Sequence, residues 1–286
     1  MNSFDFSSPG NINLALRAIS AKGLKYKLLA GGTNLIPNIR EESVRPELVI
    51  DLTKIQALRY ITEEKGRIRI GALTTISDLL DSKIIKNRVP LLWDAAGQFA
   101  GPVVRNRATI GGNLADASPA ADSAVPLLAL QAEVKIRSIK GQRAIRLEEF
   151  FTGYRQTVLK PGEILCEVSF PVPGRDTKYA YHKMGRRNAM AISVVSVAAL
   201  LKMRGSKCKE AAVALGAVAP TPVRSKEAEV LLGNNVVDMD VARRCGDAAG
   251  QAVRPIDDLR ASADYRRNMC VYWVREAIAE CLGLEN

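Results

Sequence analysis

Apolar residues along the chain recur with two spacings, and the alternation between them outlines a mixed protein. Ile12, Leu16 and Ile19 share one face of a helix that Ser8-Pro9 opens and Gly23 ends. Tyr26 to Ala30 and Leu48 to Leu52 are short apolar runs of strand type, and Leu35-Ile36 with Ile39 fit a short helix or turn between them. Ile61, Ile68 and Ile70 alternate with polar residues and predict a hairpin turning at Lys65-Gly66. Thr75 caps a helix through Leu80, Leu91 to Phe99 is helical with Trp93 in the core, and Ser123 to Leu130 is helical again. Val134 and Ile136 begin an alternating strand that turns at Lys140-Gly141, and Ile164 to Phe170 is another strand.

Pro171-Val172-Pro173-Gly174 punctuates the pattern and sets a boundary between residues 1–172 and 173–286. Beyond it, Lys178–Lys183, Ile192–Met203 and Glu210–Val218 predict three strands, the last ending at Pro220-Thr221-Pro222. Helices near Ser225–Leu232, Asp240–Ala252 and Ala263–Leu282 follow, the last with Met269, Trp273 and Ile278 as core contacts. No internal repeat of fixed period is visible. The reading is an α+β or α/β protein in two parts.

Composition narrows the class. Hydrophobic residues make up 47% and charged residues 25%, as in globular proteins, and no apolar run approaches the length of a membrane span. The opening Met1-Asn2-Ser3-Phe4-Asp5-Phe6 has neither the basic nor the apolar region of a secretory signal, so a cytoplasmic location is expected. The formal charge of +11 raises nucleic-acid binding, but the basic residues are dispersed, no nucleic-acid motif is present and aromatics are few. A solvated basic surface, an acidic partner subunit or an anionic ligand accounts for the charge as well. The five cysteines form no C-x-x-C pair and there is one histidine, so a zinc or iron–sulfur site built by this chain alone is not expected.

Two stretches carry the chemistry. Leu28-Leu29-Ala30-Gly31-Gly32-Thr33-Asn34-Leu35 breaks an apolar run into Gly-Gly with a hydroxyl beside it. Ala108-Thr109-Ile110-Gly111-Gly112-Asn113 does the same and continues through Ser118 and Pro119 to Asp122. Glycine pairs permit positive φ and let backbone N–H groups approach an anion. Neither stretch has the spaced glycines of G-x-G-x-x-G or of G-x-x-x-x-G-K-[ST]. Two such turns could close on one diphosphate from two sides; the plainer alternative is a pair of ordinary surface turns.

At these residues the chain resembles the FAD-binding medium subunits of the molybdenum hydroxylases, the group of xanthine dehydrogenase and carbon monoxide dehydrogenase. A-G-G-T-N-L, then T-I-G-G-N with an Asp nine positions after the Asn, carries the likeness. Ala100-Gly101-Pro102 with Arg105-Asn106, Pro161-Gly162-Glu163-Ile164-Leu165, Tyr181-His182-Lys183 with Arg186-Arg187, and Ala263-Asp264-Tyr265-Arg266 extend it over nearly the whole chain. The resemblance implies an N-terminal FAD-binding unit of two small subdomains, of the type shared with the vanillyl-alcohol oxidases (PCMH type). It also implies a C-terminal three-stranded sheet with a helical bundle. One branch, the 4-hydroxybenzoyl-CoA reductases, carries an extra iron–sulfur loop in this subunit, and no cysteine-rich insertion is present here. A-P-T-P-V-R at 219–224 and A-D-S-A-x-P at 121–126 lean towards the xanthine dehydrogenase branch.

The resemblance also implies site residues and partners. Leu29, Ala30, Gly31, Gly32, Thr33, Asn34 and Leu35 would cradle the pyrophosphate of FAD together with Thr109, Ile110, Gly111, Gly112 and Asn113, with Ser118 nearby. Asp122 would contact the ribose or adenine, Ile164 an apolar face of the cofactor, Phe99 the pocket, and Lys183 the flavin. Against these stand plainer roles: Leu35, Phe99 and Ile164 as core residues, Lys183 as a solvated charge, His182 as a structural residue. Ala189, Met190 and Ala191 occupy a region where the family often has an acidic residue. A molybdopterin-binding large subunit and a [2Fe–2S] small subunit would deliver electrons, and NAD or a quinone would receive them. The competing readings are a stand-alone flavin-dependent oxidoreductase and a non-enzymatic anion- or nucleic-acid-binding protein.

Overall fold

The computed structural model describes residues 3–20 and 25–284. Gly23, expected to end the first helix, lies outside the described residues. Three strands, Asp5–Ser7, Tyr26–Leu29 and Leu48–Asp51, form a small parallel sheet with Leu48–Asp51 in the middle. Helix Ile12–Ile19 makes the first crossover; Asn11 caps it by accepting from the Leu14 N–H, and Ala15, Leu16 and Ile19 are buried. Parallel pairing puts the ends of Tyr26–Leu29 and Leu48–Asp51 at the same edge, so the turn after Leu29 opens at the carboxyl end of the sheet.

A five-stranded antiparallel sheet follows, in the order Ile61–Glu64, Arg67–Gly71, Ile164–Pro171, Glu133–Ser138, Gly141–Arg146. The hairpins at Lys65-Gly66 and Lys140-Gly141 are as expected. The strand in the centre comes last in the chain and is buried along most of its length. Thr75 caps helix Ile76–Asp81 with a reciprocal bond from Asp78, and Trp93, half-buried in helix Pro90–Gly97, donates its indole N–H to the Leu80 carbonyl at 3.0 Å. These helices and Ala124–Ala129 cover one face of the sheet.

The last sheet consists of three long strands, Thr177–Met184, Val195–Arg204 and Lys207–Gly216, joined at the edge by the two-residue strand Val223–Arg224. Successive side chains on a strand face opposite ways. Tyr181, Ala198, Ala212 and Ala214 accordingly join the core around helix Ala124–Ala129. Val197, Ala199, Val213 and Leu215 face a second core under helices Lys226–Leu232, Met239–Ala252 and Ala263–Leu282. Within that core Ile278 is fully buried, whereas Met269 and Trp273 are partly buried. All five cysteines are free and buried, and burial pushes the Cys166 thiol up to about 11.

Two features were not expected. A small hairpin, Phe151–Gly153 with Gln156–Thr157, follows the central sheet's edge strand and touches the end of the glycine-rich stretch at Ala117. The second glycine stretch is also no open loop: Ile110–Asp116 is helical.

Candidate functional site

A cleft of about 670 Å³ opens where the turn after Leu29 meets the second glycine stretch and the connection Met190–Ile192 between the first two strands of the last sheet. Gly31 lies flat against the chain at Arg107: a Cβ built there would stand 2.0 Å from the Arg107 carbonyl oxygen. Gly32 takes the left-handed conformation at φ 73° and accepts from the Ile36 N–H at 3.1 Å. Among the described residues, nothing accepts a hydrogen bond from the backbone N–H groups of Gly31, Gly32, Thr33, Asn34 or Leu35. All five residues line the cleft. Donors so clustered, without protein acceptors, suit an anion.

The second stretch behaves differently. Thr109 caps the helix by accepting from the Gly112 N–H at 3.1 Å; Ile110 donates to the Thr74 carbonyl at 3.0 Å and Gly111 to the Ala72 carbonyl at 2.9 Å. These amides are spent inside the protein, so the expectation that both glycine pairs offer backbone donors holds only for the first. Neither Gly111 nor Gly112 has a positive φ. Gly111 is required for packing, since a Cβ there would meet the Ala72 Cβ at 2.5 Å. What this stretch offers the cleft is Thr109, Gly112 and Asn113. Asn113 uses its carbonyl oxygen to accept from the Ser123 hydroxyl at 2.5 Å, leaving its amide hydrogens without a described acceptor.

Two carboxylates stand in the wall. Asp122 accepts from the Lys183 ammonium at 2.7 Å and from the Ser193 hydroxyl at 3.1 Å, and Lys183 also donates to the Gln98 carbonyl at 2.9 Å. Burial pushes the Asp122 carboxyl above the usual carboxylate range, and Lys183 pulls it part of the way back. Tyr181 lies two residues before Lys183 on the same strand face; its hydroxyl is buried without a described partner, and burial raises its pKa well above that of a free tyrosine. Asp116 closes helix Ile110–Asp116 and accepts from the Asn34 side-chain amide and from Arg155 at 2.9 Å.

Ala30, Leu35, Phe99 and Ser118 also line the cleft, as the sequence led us to expect. Leu29 does not line it but packs its side chain under Gly32. Ile110 is fully buried in the main core and Gly111 is packed on Ala72, so neither faces the cleft. Ile164 is buried on the central sheet in the core that holds helix Ile12–Ile19; Leu28 and Ala30 of the cleft wall pack against that core, but Ile164 itself does not line the cleft. Lys183 reaches the site through Asp122. His182 points the other way: its ring stacks on Trp273 at 4.8 Å and its Nε2 lies 3.0 Å from Glu280, a structural placement. Lys27, Asp116, Arg155 and Ile192 line the cleft without having been singled out, and so do Met190 and Ala191, which stand where the family often has an acidic residue. Lys27 was within reach, being two residues before Leu29 on the strand; Arg155 lies on a hairpin that no pattern linked to the glycines.

The cleft fits FAD. It has the size of a cofactor site, unpaired amides beside glycine where an anion must come close, apolar walls at Leu35, Phe99 and Ile192, and carboxylates for hydroxyl or amino groups.

Comparison with known proteins agrees. The family described as "FAD binding domain in molybdopterin dehydrogenase" matches residues 2–173, and "CO dehydrogenase flavoprotein C-terminal domain" matches residues 179–281. The chain is 32% identical over 275 residues to the carbon monoxide dehydrogenase medium chain of Hydrogenophaga pseudoflava, covering 96% of both. It is 33% identical over 284 residues to the xanthine dehydrogenase FAD-binding subunit of Escherichia coli O157:H7, covering 98% of this chain and 97% of that one. Among solved structures, carbon monoxide dehydrogenase from Hydrogenophaga pseudoflava superimposes with a TM-score of 0.96 over 100% of this chain and 99% of its own. Quinoline 2-oxidoreductase from Pseudomonas putida 86 does so with a TM-score of 0.92 at 26% identity, over 99% and 98%. The chain therefore belongs to the FAD-binding subunits of the molybdenum hydroxylase family, and FAD is its cofactor.

Proposed function

We propose that this chain is the electron-relaying subunit of a complex in which a molybdopterin-binding large subunit oxidises the substrate and a [2Fe–2S] small subunit passes the electrons on. The observation that carries the reading is the run of five unpaired amides, Gly31 to Leu35, in a cleft of cofactor size. FAD bound there supplies the redox chemistry, taking up electrons and releasing them to an acceptor such as NAD or a quinone. The protein's part is to bind and orient. The Gly31–Leu35 amides hold the pyrophosphate, with Thr109, Gly112 and Asn113 opposite. Asp122, fixed by Lys183 and Ser193, accepts from a hydroxyl or amino group of the cofactor. Leu35, Phe99 and Ile192 keep water from the rings. We take residues 1–172 as the FAD-binding unit and 173–286 as the unit that closes the cleft with Lys183 and Met190–Ile192.

Relatives support the assembly: one is named as a subunit of a 6-hydroxypseudooxynicotine dehydrogenase complex from Paenarthrobacter nicotinovorans, 34% identical over 98% of this chain. Among the described residues no cluster of three His, Cys, Asp or Glu could hold a metal ion. The carbon monoxide and xanthine dehydrogenase relatives are about equally similar, at 32% and 33% identity, and favour neither substrate. No helix among the described residues is long and apolar enough to cross a membrane.

The test is recovery of the tagged chain from its own host at low salt. Molybdenum and iron should co-purify, and the complex, once reduced, should be reoxidised by NAD or by a quinone. A chain recovered alone, or one that turns over a small substrate without partners, would contradict the reading.

A further inference from the structure

We propose that Arg155 is a phosphate-binding residue of the cleft, held in place by Asp116 at the tip of the hairpin Phe151–Thr157. The inference deepens the FAD reading and rests on it. Arg155 is tied down twice. Its backbone N–H donates to the Ala117 carbonyl at 3.2 Å, where helix Ile110–Asp116 ends in a left-handed residue, and its Nη1 donates to Asp116 Oδ1 at 2.9 Å. The backbone itself is left-handed at φ 52°, uncommon for a side chain of this size. An arginine held in such a conformation by two contacts is a placed group.

What it is placed beside decides its role. The oxygen of Asp116 that accepts from Arg155 also accepts from the Asn34 side chain. Two donors on one oxygen lie within roughly 6 Å of each other. The guanidinium therefore stands next to the turn whose amides have no protein acceptor. Of its five N–H donors one goes to Asp116, and the guanidinium also meets Tyr154 beside it; its side chain remains 43% exposed, and it lines the cleft with donors to spare. Of the other charges in the wall, Lys27 is a second cation on the strand before the turn, Asp122 is neutralised by Lys183, and the Asp116 carboxylate would repel a pyrophosphate at the Gly31–Leu35 turn. Arg155 cancels that repulsion and offers donors of its own to a phosphate oxygen, a geometry guanidinium groups suit.

The test is binding of FAD, ADP and riboflavin to the purified full-length apoprotein, for wild type, R155Q, R155K and the double variant D116N/R155Q. Arg155→Gln should weaken FAD and ADP roughly 10- to 100-fold, the range of one charge-assisted hydrogen bond. Riboflavin, which has no phosphate, should bind as before. Arg155→Lys should recover part of the loss. The double variant, relieved of the unpaired carboxylate, should bind FAD more tightly than R155Q. If R155Q binds FAD like wild type, or loses riboflavin as severely as FAD, Arg155 is not a phosphate ligand. If wild type itself fails to take up FAD, the reading beneath this inference falls, and the inference with it. ADP competition against FAD in the wild type supplies a measurement independent of how the variants fold: ADP should displace FAD and adenosine should not.

Discussion

At the scale of single residues, the site depends on a few atoms that cannot be enlarged or left unpaired. A methyl group on Gly31 would run into the Arg107 carbonyl, and backbone there cannot move as a side chain would. Gly31→Ala should cost about 1–3 kcal/mol and abolish FAD uptake, read by denaturant unfolding and by flavin absorbance. Asp122→Asn leaves the Lys183 ammonium, 6% exposed, without its counter-charge. Loss of one partner of a buried pair costs about 3–5 kcal/mol, whereas the double variant D122N/K183M should recover most of that, in a double-mutant cycle on unfolding free energy. The glycine stretches were legible in the sequence because composition there is unusual. Their division of labour was not: whether an amide is free depends on Thr74 and Ala72, more than thirty residues earlier in the chain, whose carbonyls take the Ile110 and Gly111 protons. Ile164 shows the same limit, since its burial against helix Ile12–Ile19 follows from sheet pairing and from nothing local.

At the scale of elements, close packing between helices is the feature most open to test. Gly246 and Gly250 of helix Met239–Ala252 face Val271 of helix Ala263–Leu282; a Cβ on Gly246 would stand 2.5 Å from the Val271 carbonyl oxygen. Gly246→Ala should therefore destabilise by about 1–3 kcal/mol. Gly97, whose Cβ would meet nothing within 4 Å, should tolerate alanine or gain up to about 1 kcal/mol from its helical position, with chemical denaturation distinguishing the two. Helix Ala263–Leu282 is also pinned by charge. Arg266, fully buried, donates to the Val194 and Ala217 carbonyls and to Asp258, which Arg260 also grips. Burial would raise the Asp258 carboxyl, but the bonds and charges of Arg260 and Arg266 outweigh it and hold the group well below the usual carboxylate range. A depressed carboxylate stabilises above its unfolded value and loses that contribution as pH falls. The gap between wild type and Asp258→Asn should thus be full above about pH 4, the unfolded value, and narrow progressively as pH falls below it. Most elements were readable because their apolar spacing is regular, the strand Val195–Arg204 included. Helix Ile110–Asp116 was not, because Gly-Gly in its first turn argues against a helix and only the Thr109 cap and the packing on Ala72 impose one.

At the scale of the whole molecule, the last sheet belongs to two cores at once. Tyr181, Ala198, Ala212 and Ala214 complete the core of the first part while their neighbours complete that of the second, and the Asp122–Lys183 pair crosses the same boundary. Thermal unfolding should accordingly be a single transition, moved upward by FAD, with about 2.7 kcal/mol of stabilisation at a hundred times its dissociation constant. Two separated transitions would show the parts to be independent. The break at Pro171 to Gly174 stands out in the sequence, but how the elements on either side of it pack together does not, since that rests on which face of each strand is turned inward.

The most direct measurement is the visible absorption spectrum of the purified chain, followed by denaturation and identification of what is released. The account predicts a flavin spectrum, or its appearance on adding FAD, with one FAD released per chain. A colourless protein that takes up no FAD would contradict it.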